Sequence, residues 1–291
     1  MKIFLTGASG FIGSNLVKSL LEKHSLTCFV RKLSDVSHLK GTQIVYGDIR
    51  DSASIKGMES CDLVIHTAAM YKLENFNLEE MYETNVEGTK NILQLCEEYK
   101  KPLMYFSTTG VLDKKGELKE KVTTDYGKTK LEAHKLVQSY MGRIPIIILA
   151  PSGVFGPKDR SLLGTLLKQY VKKELSYIPC SDAKLSFVFV EDVVKAVDLL
   201  IREKLIGQYI NSAYSMQLVD FLDLCENITR IPKPKRRFSC SSSKFLSLFT
   251  GQKKIVDFIS DQEYFDSKEL RDLGWEPEPI DTALRKTLES L

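Results

Sequence analysis

The chain has 291 residues, 43% hydrophobic and 27% charged, with 41 basic against 38 acidic side chains for a net charge of +3. That length allows one or two domains and a large buried core. The composition is that of a globular protein, and the charge is too evenly balanced to argue for nucleic acid as a partner. No apolar run reaches the roughly 18 residues of a membrane-spanning helix, so no membrane span is expected. The opening MKIFLTGASG passes from a short apolar run straight into a glycine turn, without the apolar region and cleavage site of a signal peptide. Six scattered cysteines (Cys28, Cys61, Cys96, Cys180, Cys225 and Cys240) form no C-x-x-C pair. They read as buried or inert thiols of a cytoplasmic protein. No His, Cys or acidic cluster has metal-ligand spacing, so no metal is expected.

In chain order, residues 2–5 read as a buried strand and 13–22 as a helix, followed by strands at 26–30, 43–46 and 62–66. Residues 78–99 have helical spacing through Met81, Val86, Ile92, Leu93 and Cys96. A fifth strand spans 103–107. A helix at 125–141 carries the stripe Leu131, Leu136, Val137, Tyr140 and Met141, and a sixth strand spans 144–150. Apolar runs separated by helices are what a parallel sheet buried on both faces requires, so an α/β fold with a doubly wound parallel sheet is predicted. After Pro151 the rhythm changes. PSGVFGPKDR reads as an irregular segment leaving the sheet, SFVFVEDVVKAVDLLI as a strand and helix with Asp192 near the helix start, and QYIN (208–211) as a further strand. IPKPKRRFSCSSSK (231–244) reads as a solvated connector, with a polybasic ligand site at Lys233 to Arg237 as the alternative.

TGASGFIG, residues 6–13, follows the first strand and opens the first helix. Gly7 permits the tight turn, Gly10 lets the backbone approach a pyrophosphate, and Gly13 lets the helix pack close to the sheet. Free N–H groups at the positive end of a helix favour a phosphate, so a dinucleotide is the expected ligand. With Phe11 and Ile12, the G-x-x-G-x-x-G spacing resembles the extended short-chain dehydrogenase/reductase family, whose signature is TGxxGFIG. The resemblance implies a Rossmann sheet over 1–155, rejoined by 186–211. It also implies a smaller substrate-binding domain over most of 156–291.

The second strand ends CFVRK. An NAD enzyme places an acidic residue there for the ribose hydroxyl. This chain has Arg31 and Lys32, and Asp35 further on is a poorer candidate. A cation at Arg31 suits a 2′-phosphate and favours NADP, with NAD as the alternative. The resemblance assigns Asp48 and Ile49 of GDIRD to the adenine, and it makes Ala68 of HTAA a small residue against which the cofactor lies. His66, a lone histidine ending an apolar strand, reads as structural. PSGVFGP resembles the family's segment after the sixth strand and puts Val154 among the cofactor contacts.

In TTDYGKTK, Tyr126 and Lys130 stand four apart and project from one helical face. A free tyrosine, with a pKa of about 10, is a weak acid at neutral pH, and a nearby ammonium favours its phenolate. The stretch resembles the family's YxxxK motif. That resemblance makes Tyr126 the general acid/base, and Lys130 the group that lowers its pKa and bonds the nicotinamide ribose. The third member is a hydroxyl three residues before a valine. Counting back from Val111 in FSTTGVL gives Thr108, with Ser107 and Thr109 left open. TNVEGTKN resembles the family's NVxGT helix, where Asn85 either supports the site or is structural. FVFVEDVV and ELRDLGWEPEPIDTALRKTL extend the resemblance over nearly the whole chain. Ala150 stands where many members carry Arg, and Phe189 where they carry His. The segment from Thr108 to Tyr126 is shorter than in most extended members, which implies a pocket more open or walled from elsewhere.

The resulting expectation is an NADP-dependent oxidoreductase acting on a secondary alcohol or ketone of a small molecule. MYKLENFNLEEMY (70–82) is similar to the dihydroflavonol reductase and hydroxysteroid dehydrogenase branches. The alternative is a nucleotide-sugar epimerase or dehydratase that retains NAD. A third class is a non-catalytic dinucleotide-binding sensor, relatives of which typically lose the Tyr or Lys. The apolar residues of the two long helices either pair in a homodimer or pack on their own sheet.

Overall fold

The apolar runs become strands because residues buried on both faces lose nothing by being apolar throughout. In a computed structural model of the chain, the described residues are 1–71, 77–250, 256, 259–260 and 263–291. They fall into two units. One comprises Met1–Val111, Leu118–Ala150 and Val194–Tyr209, the other Leu112–Glu117, Pro151–Val193 and Ile210–Leu291.

The main sheet contains β1 (Lys2–Thr6), β2 (Ser25–Val30), β3 (Gln43–Tyr46), β4 (Leu63–His66), β5 (Leu103–Phe106), β6 (Ile146–Pro151) and β9 (Gly207–Asn211) in the order β3-β2-β1-β4-β5-β6-β9. Pairing from β3 across to β6 is parallel. Every residue of β4, β5 and β6 is buried. Helices α1 (Phe11–Leu20), α2 (Leu78–Tyr82), α3 (Gly88–Glu98) and α4 (Asp125–Ser139) connect these strands. This is the doubly wound α/β fold that the sequence predicts. Phe4, Phe29, Val64, Ile92, Leu93, Tyr105, Val137 and Ile148 form one buried cluster. Each such side chain contributes roughly 1.5–3 kcal/mol by leaving water.

The sequence predicts one helix over 78–99. Between α2 and α3 the chain instead widens into a π-turn at Glu83–Glu87, which buries Asn85 and Val86. Such turns are often found at functional sites. The fifth strand stops at Phe106, one residue earlier than predicted, which leaves Ser107 and Thr108 in the connection to a 3₁₀ turn at Thr109–Val111.

The second unit contains β7 (Gly153–Phe155), β8 (Lys184–Phe189) and β10 (Tyr214–Gln217), ordered β10-β8-β7. α5 (Leu162–Val171) follows β7. α6 (Val190–Arg202) starts in this unit, and α7 (Leu218–Thr229) and α8 (Cys240–Thr250) lie within it. Phe187 and Phe221 stack with ring centroids 4.5 Å apart, and Phe155 meets both rings edge-on. Asp192, fully buried at the start of α6, accepts the Glu278 N–H at 3.0 and 3.1 Å. Its backbone carbonyl accepts Trp275 Nε1 at 2.9 Å. The motifs FVFVEDVV and LGWEPEP thus meet in one structural pin.

The turn from β1 into α1 depends on close backbone approach. Gly7 has φ 75°, and a Cβ there would lie 2.5 Å from Thr67 Oγ1 and 2.6 Å from the Ala68 nitrogen. A Cβ on Gly13 would lie 2.1 Å from the Gly7 carbonyl oxygen. Gly13 is therefore small because the turn itself, rather than the sheet, presses on it. Gly13→Ala is expected to destabilise the protein by about 1–3 kcal/mol through overpacking, measured as a lower urea midpoint with an unchanged slope.

Candidate active site

The strand order reverses between β1 and β4, so a crevice opens at their C-terminal ends, where open α/β sheets bind ligands. Gly10 caps α1, and no side chain caps its first turn. The first N–H groups of α1 therefore remain available to an anion, reinforced by the helix dipole. A Cβ on Gly10 would meet only the Gly7 carbonyl, at 3.2 Å, so the outer side of the loop is open. Phe11 and Ile12 occupy this first turn, both half-buried. An uncapped helix end at a switch point fits the diphosphate of a dinucleotide.

Hydroxyls staple the floor of the crevice. Thr6 and His66 are register partners at the ends of β1 and β4. The Thr89 hydroxyl donates to the Asn85 carbonyl at 2.7 Å, so at 3.0 Å it must accept from His66 Nε2. His66 Nδ1 then accepts from the Thr6 hydroxyl at 2.7 Å. Burial pushes the His66 pKa down to about 3, and the imidazole is neutral and structural. Thr67 donates its hydroxyl to the Thr6 carbonyl at 2.8 Å, and the Ala68 N–H reaches Thr6 Oγ1 at 3.3 Å. No sequence pattern announces Thr6, Thr67 or Thr89 in these roles. Their partners lie up to 62 positions away.

On the β2–β3 side, Arg31 is exposed immediately after β2. Asp48 is clamped by Arg50, whose Nε and Nη2 donate to its two oxygens at 3.0 and 2.7 Å. Those bonds hold the Asp48 carboxyl below its usual range, and the charge of Arg31 adds to the effect. Ile49 is buried, and Gly88 of α3 packs so closely on it that a Cβ would lie 2.7 Å from its side chain. Asp35 spends one oxygen on the Ser37 N–H at 2.9 Å. His38 donates from Nε2 to the Ala8 carbonyl at 3.1 Å and ties the loop after β2 to the glycine turn, a contact no sequence pattern announced. Val154 lies in the second unit, half-buried on β7 opposite Val188.

Tyr126 and Lys130 ride on α4, whose start is capped by Thr124 accepting the Gly127 N–H at 3.0 Å. A Cβ at position 127 would lie 2.8 Å from that hydroxyl, so the glycine after Tyr126 makes room for the cap. Lys130 is 3% exposed, donates from Nζ to the Phe106 carbonyl at 2.7 Å, and stands 4.4 Å from the centroid of the Tyr105 ring. Burial pushes its pKa down to about 7. Burial also pushes Tyr126 up to about 12. The resemblance implies that Lys130 lowers the Tyr126 pKa. In the chain by itself the Lys130 ammonium is turned to Phe106, and desolvation of the phenol wins. Tyr71 contributes to this enclosure, its ring packed edge-on against Tyr126 at 4.8 Å and 80°.

Hydrogen bonding separates the three candidate hydroxyls. His134 Nε2 donates to Gln208 Oε1 at 2.9 Å, so Nδ1 accepts the Ser107 hydroxyl at 2.7 Å and commits its proton. Thr109 is buried in the 3₁₀ turn. Thr108 is half-buried, and its Oγ1 accepts the Gly110 N–H at 3.2 Å, which leaves its proton to be donated. Asn85 joins these parts. It accepts the Met70 N–H at 2.6 Å and donates to the Met70 carbonyl at 3.1 Å and to Thr129 Oγ1 at 2.9 Å. Thr129 in turn donates to the Tyr126 carbonyl at 2.9 Å.

The sequence model of the NAD dependent epimerase/dehydratase family matches residues 3–213. The chain belongs to this family, within the extended short-chain dehydrogenases/reductases, and is an NAD(P)-dependent enzyme. Sterol demethylase protein B of Methylococcus capsulatus is 29% identical over 255 residues, 81% of this chain and 76% of that protein. A dTDP-D-glucose 4,6-dehydratase of Dictyostelium discoideum is 26% identical over 79% of this chain, which spans 62% of that protein's length. The crystal structure of UDP-glucuronic acid 4-epimerase from Bacillus cereus in complex with NAD shares the fold, with a TM-score of 0.80 at 21% identity over 100% of this chain and 96% of that one.

Buried neutral histidines make stability depend on pH. His66 and His134 have folded pKa values pushed down to about 3 and about 4, against 6.5 when exposed. Below pH 6.5 the unfolded chain takes up protons that the native state refuses, so stability falls as pH falls toward 4. The His24 shift acts in the same sense. Going from pH 7 to pH 5 is expected to cost about 2 kcal/mol per buried histidine in urea unfolding, and His66→Gln to remove its share.

Proposed function

We propose that the protein transfers a hydride between NADP and a secondary alcohol or ketone of a small molecule, with most of residues 156–291, apart from the stretch 186–211 that rejoins the Rossmann sheet, supplying the substrate-binding part. The observation that carries this reading is the convergence at the end of β5. Thr108 has a proton to donate, and Lys130 fastens the Tyr126 helix to Phe106 two residues away. Thr108 orients the substrate carbonyl. Tyr126, protonated through neutral pH, delivers the proton to the developing alkoxide. Lys130, with its pKa near neutral, holds the strand end and meets the ribose. Bound nicotinamide supplies or accepts the hydride. Arg31 and Lys32, in place of an acid at the end of β2, support NADP over NAD.

A second reading is favoured by the names of the relatives, which include a nucleotide-sugar dehydratase and an epimerase solved with NAD. On that reading the purified protein carries NAD and turns over a nucleotide sugar without added cofactor. Tyr126→Phe is expected to lower turnover about 10²- to 10⁴-fold while leaving cofactor affinity within about twofold. Unchanged turnover would remove the acid–base assignment. Arg31→Ala is expected to weaken NADPH binding roughly tenfold or more in a fluorescence titration and leave NADH unchanged.

A further inference from the structure

The turn that follows β3 is fastened from several sides. The Ser54 hydroxyl accepts the Asp48 N–H at 3.0 Å and lies 2.9 and 2.8 Å from the carbonyls of Asp48 and Asp51. Asn91 of α3 donates its side-chain amide to the carbonyls of Ile49 and Arg50, at 2.8 and 3.2 Å. On this fixed backbone Arg50 turns back onto Asp48. Its backbone N–H and its Nε both donate to Oδ1 at 3.0 Å, and its Nη2 donates to Oδ2 at 2.7 Å. Its Nη1 donates to Glu83 of the π-turn at 3.5 Å and stands 3.8 Å from Glu80 of α2.

An ionised carboxylate offers about four lone-pair sites and no proton. Arg50 fills three of them on Asp48, two on Oδ1 and one on Oδ2. One site on Oδ2 is left, and it can only accept. The pair borders an open cavity of about 490 Å³ lined by Asp48, Arg50, Asp51, Glu83 and Glu87. Four carboxylates against one guanidinium disfavour a phosphate there and suit a neutral group that carries N–H donors.

We propose that Arg50 is the positioning residue of the base subsite. By filling three acceptor sites of Asp48 it leaves the fourth for the 6-amino group of adenine, and so selects adenine over a 6-oxo purine. The proposal rests on the assignment of Asp48 to the adenine of a bound dinucleotide, and it holds for NADP and NAD alike. A 6-amino group donates to the held carboxylate, whereas a 6-oxo group turns lone pairs toward lone pairs. Without the guanidinium fork the carboxylate is free to turn toward water, which satisfies it whichever base is bound, and the discrimination shrinks. An ion pair that merely braced the turn would act differently. Its loss would lower the melting temperature and leave the choice of base untouched.

The test is fluorescence titration of the full chain with NADPH and NADH and with their hypoxanthine counterparts, in which oxygen replaces the 6-amino group. The wild-type protein is expected to bind the adenine form about tenfold or more tightly than the hypoxanthine form. Arg50→Gln is expected to narrow that ratio to about threefold or less, chiefly by weakening the adenine form. Arg50→Lys, which keeps the charge without the fork, is expected to recover the ratio only in part. Asp48→Asn, which adds an amide donor at the same place, is expected to abolish the preference. Each ratio is taken within one protein, so a change in stability alone does not move it. A ratio near one in the wild-type protein would overturn the proposal, as would a wild-type ratio in Arg50→Gln. Tighter binding of NADH than of NADPH, with the base ratios as expected, would overturn the NADP reading and support this one.

Discussion

An ammonium buried beneath the surface, with one carbonyl and one aromatic face for company, is the constraint around which the candidate site is arranged. Lys130 Nζ reaches the Phe106 carbonyl where β5 ends, and so pins the second turn of α4 to the sheet. That pin sets where Tyr126 stands relative to Thr108. Burying a charge is costly, and here the cost appears as a depressed lysine pKa. A protein gains nothing in stability from such a residue at this position. In the proposed function it does have a use, because a group whose pKa lies near neutral can meet the ribose of a bound dinucleotide and respond to its charge.

The crevice between β1 and β4 follows a different logic. Its floor is made of neutral groups whose hydrogen bonds are all spent on one another, from Thr89 through His66 to Thr6. A satisfied network of this kind is rigid, and it carries no charge that would compete with a bound diphosphate. The open hydrogen-bonding capacity sits instead on the uncapped first turn of α1. Rigid floor and available N–H groups together make a pre-formed anion site from residues that individually look unremarkable in sequence.

The strands, the glycine turn and the Tyr126–Lys130 pair were legible in the sequence because each rests on local spacing. The apolar runs 43–46 and 103–107 needed no partner to be read, and four residues of helix suffice to align Tyr126 with Lys130. What stayed hidden depends on distant partners. Thr108 could not be separated from Ser107 until His134 and Gln208, 27 and 101 positions further along, claimed the serine proton. The π-turn at Glu83–Glu87 adds about one residue to the turn, and its trace in the apolar stripe is a single five-residue step from Met81 to Val86, too little to read from periodicity alone. The direction of the Tyr126 shift in the chain by itself depends on distant neighbours for a related reason. Spacing places the ammonium on the same helix face as the phenol, but only the fold shows it turned to Phe106 and Tyr71 packed against the phenol ring.

The poise of Lys130 can be read directly by titrating the ε-carbon resonances of ¹³C-labelled lysine in the protein without ligand, with Lys130→Met assigning the signal. A midpoint near 7 is expected. A Lys130 signal titrating at the ordinary value of about 10.4 would contradict the account, because the ammonium would then be solvated rather than held between Tyr105 and the Phe106 carbonyl.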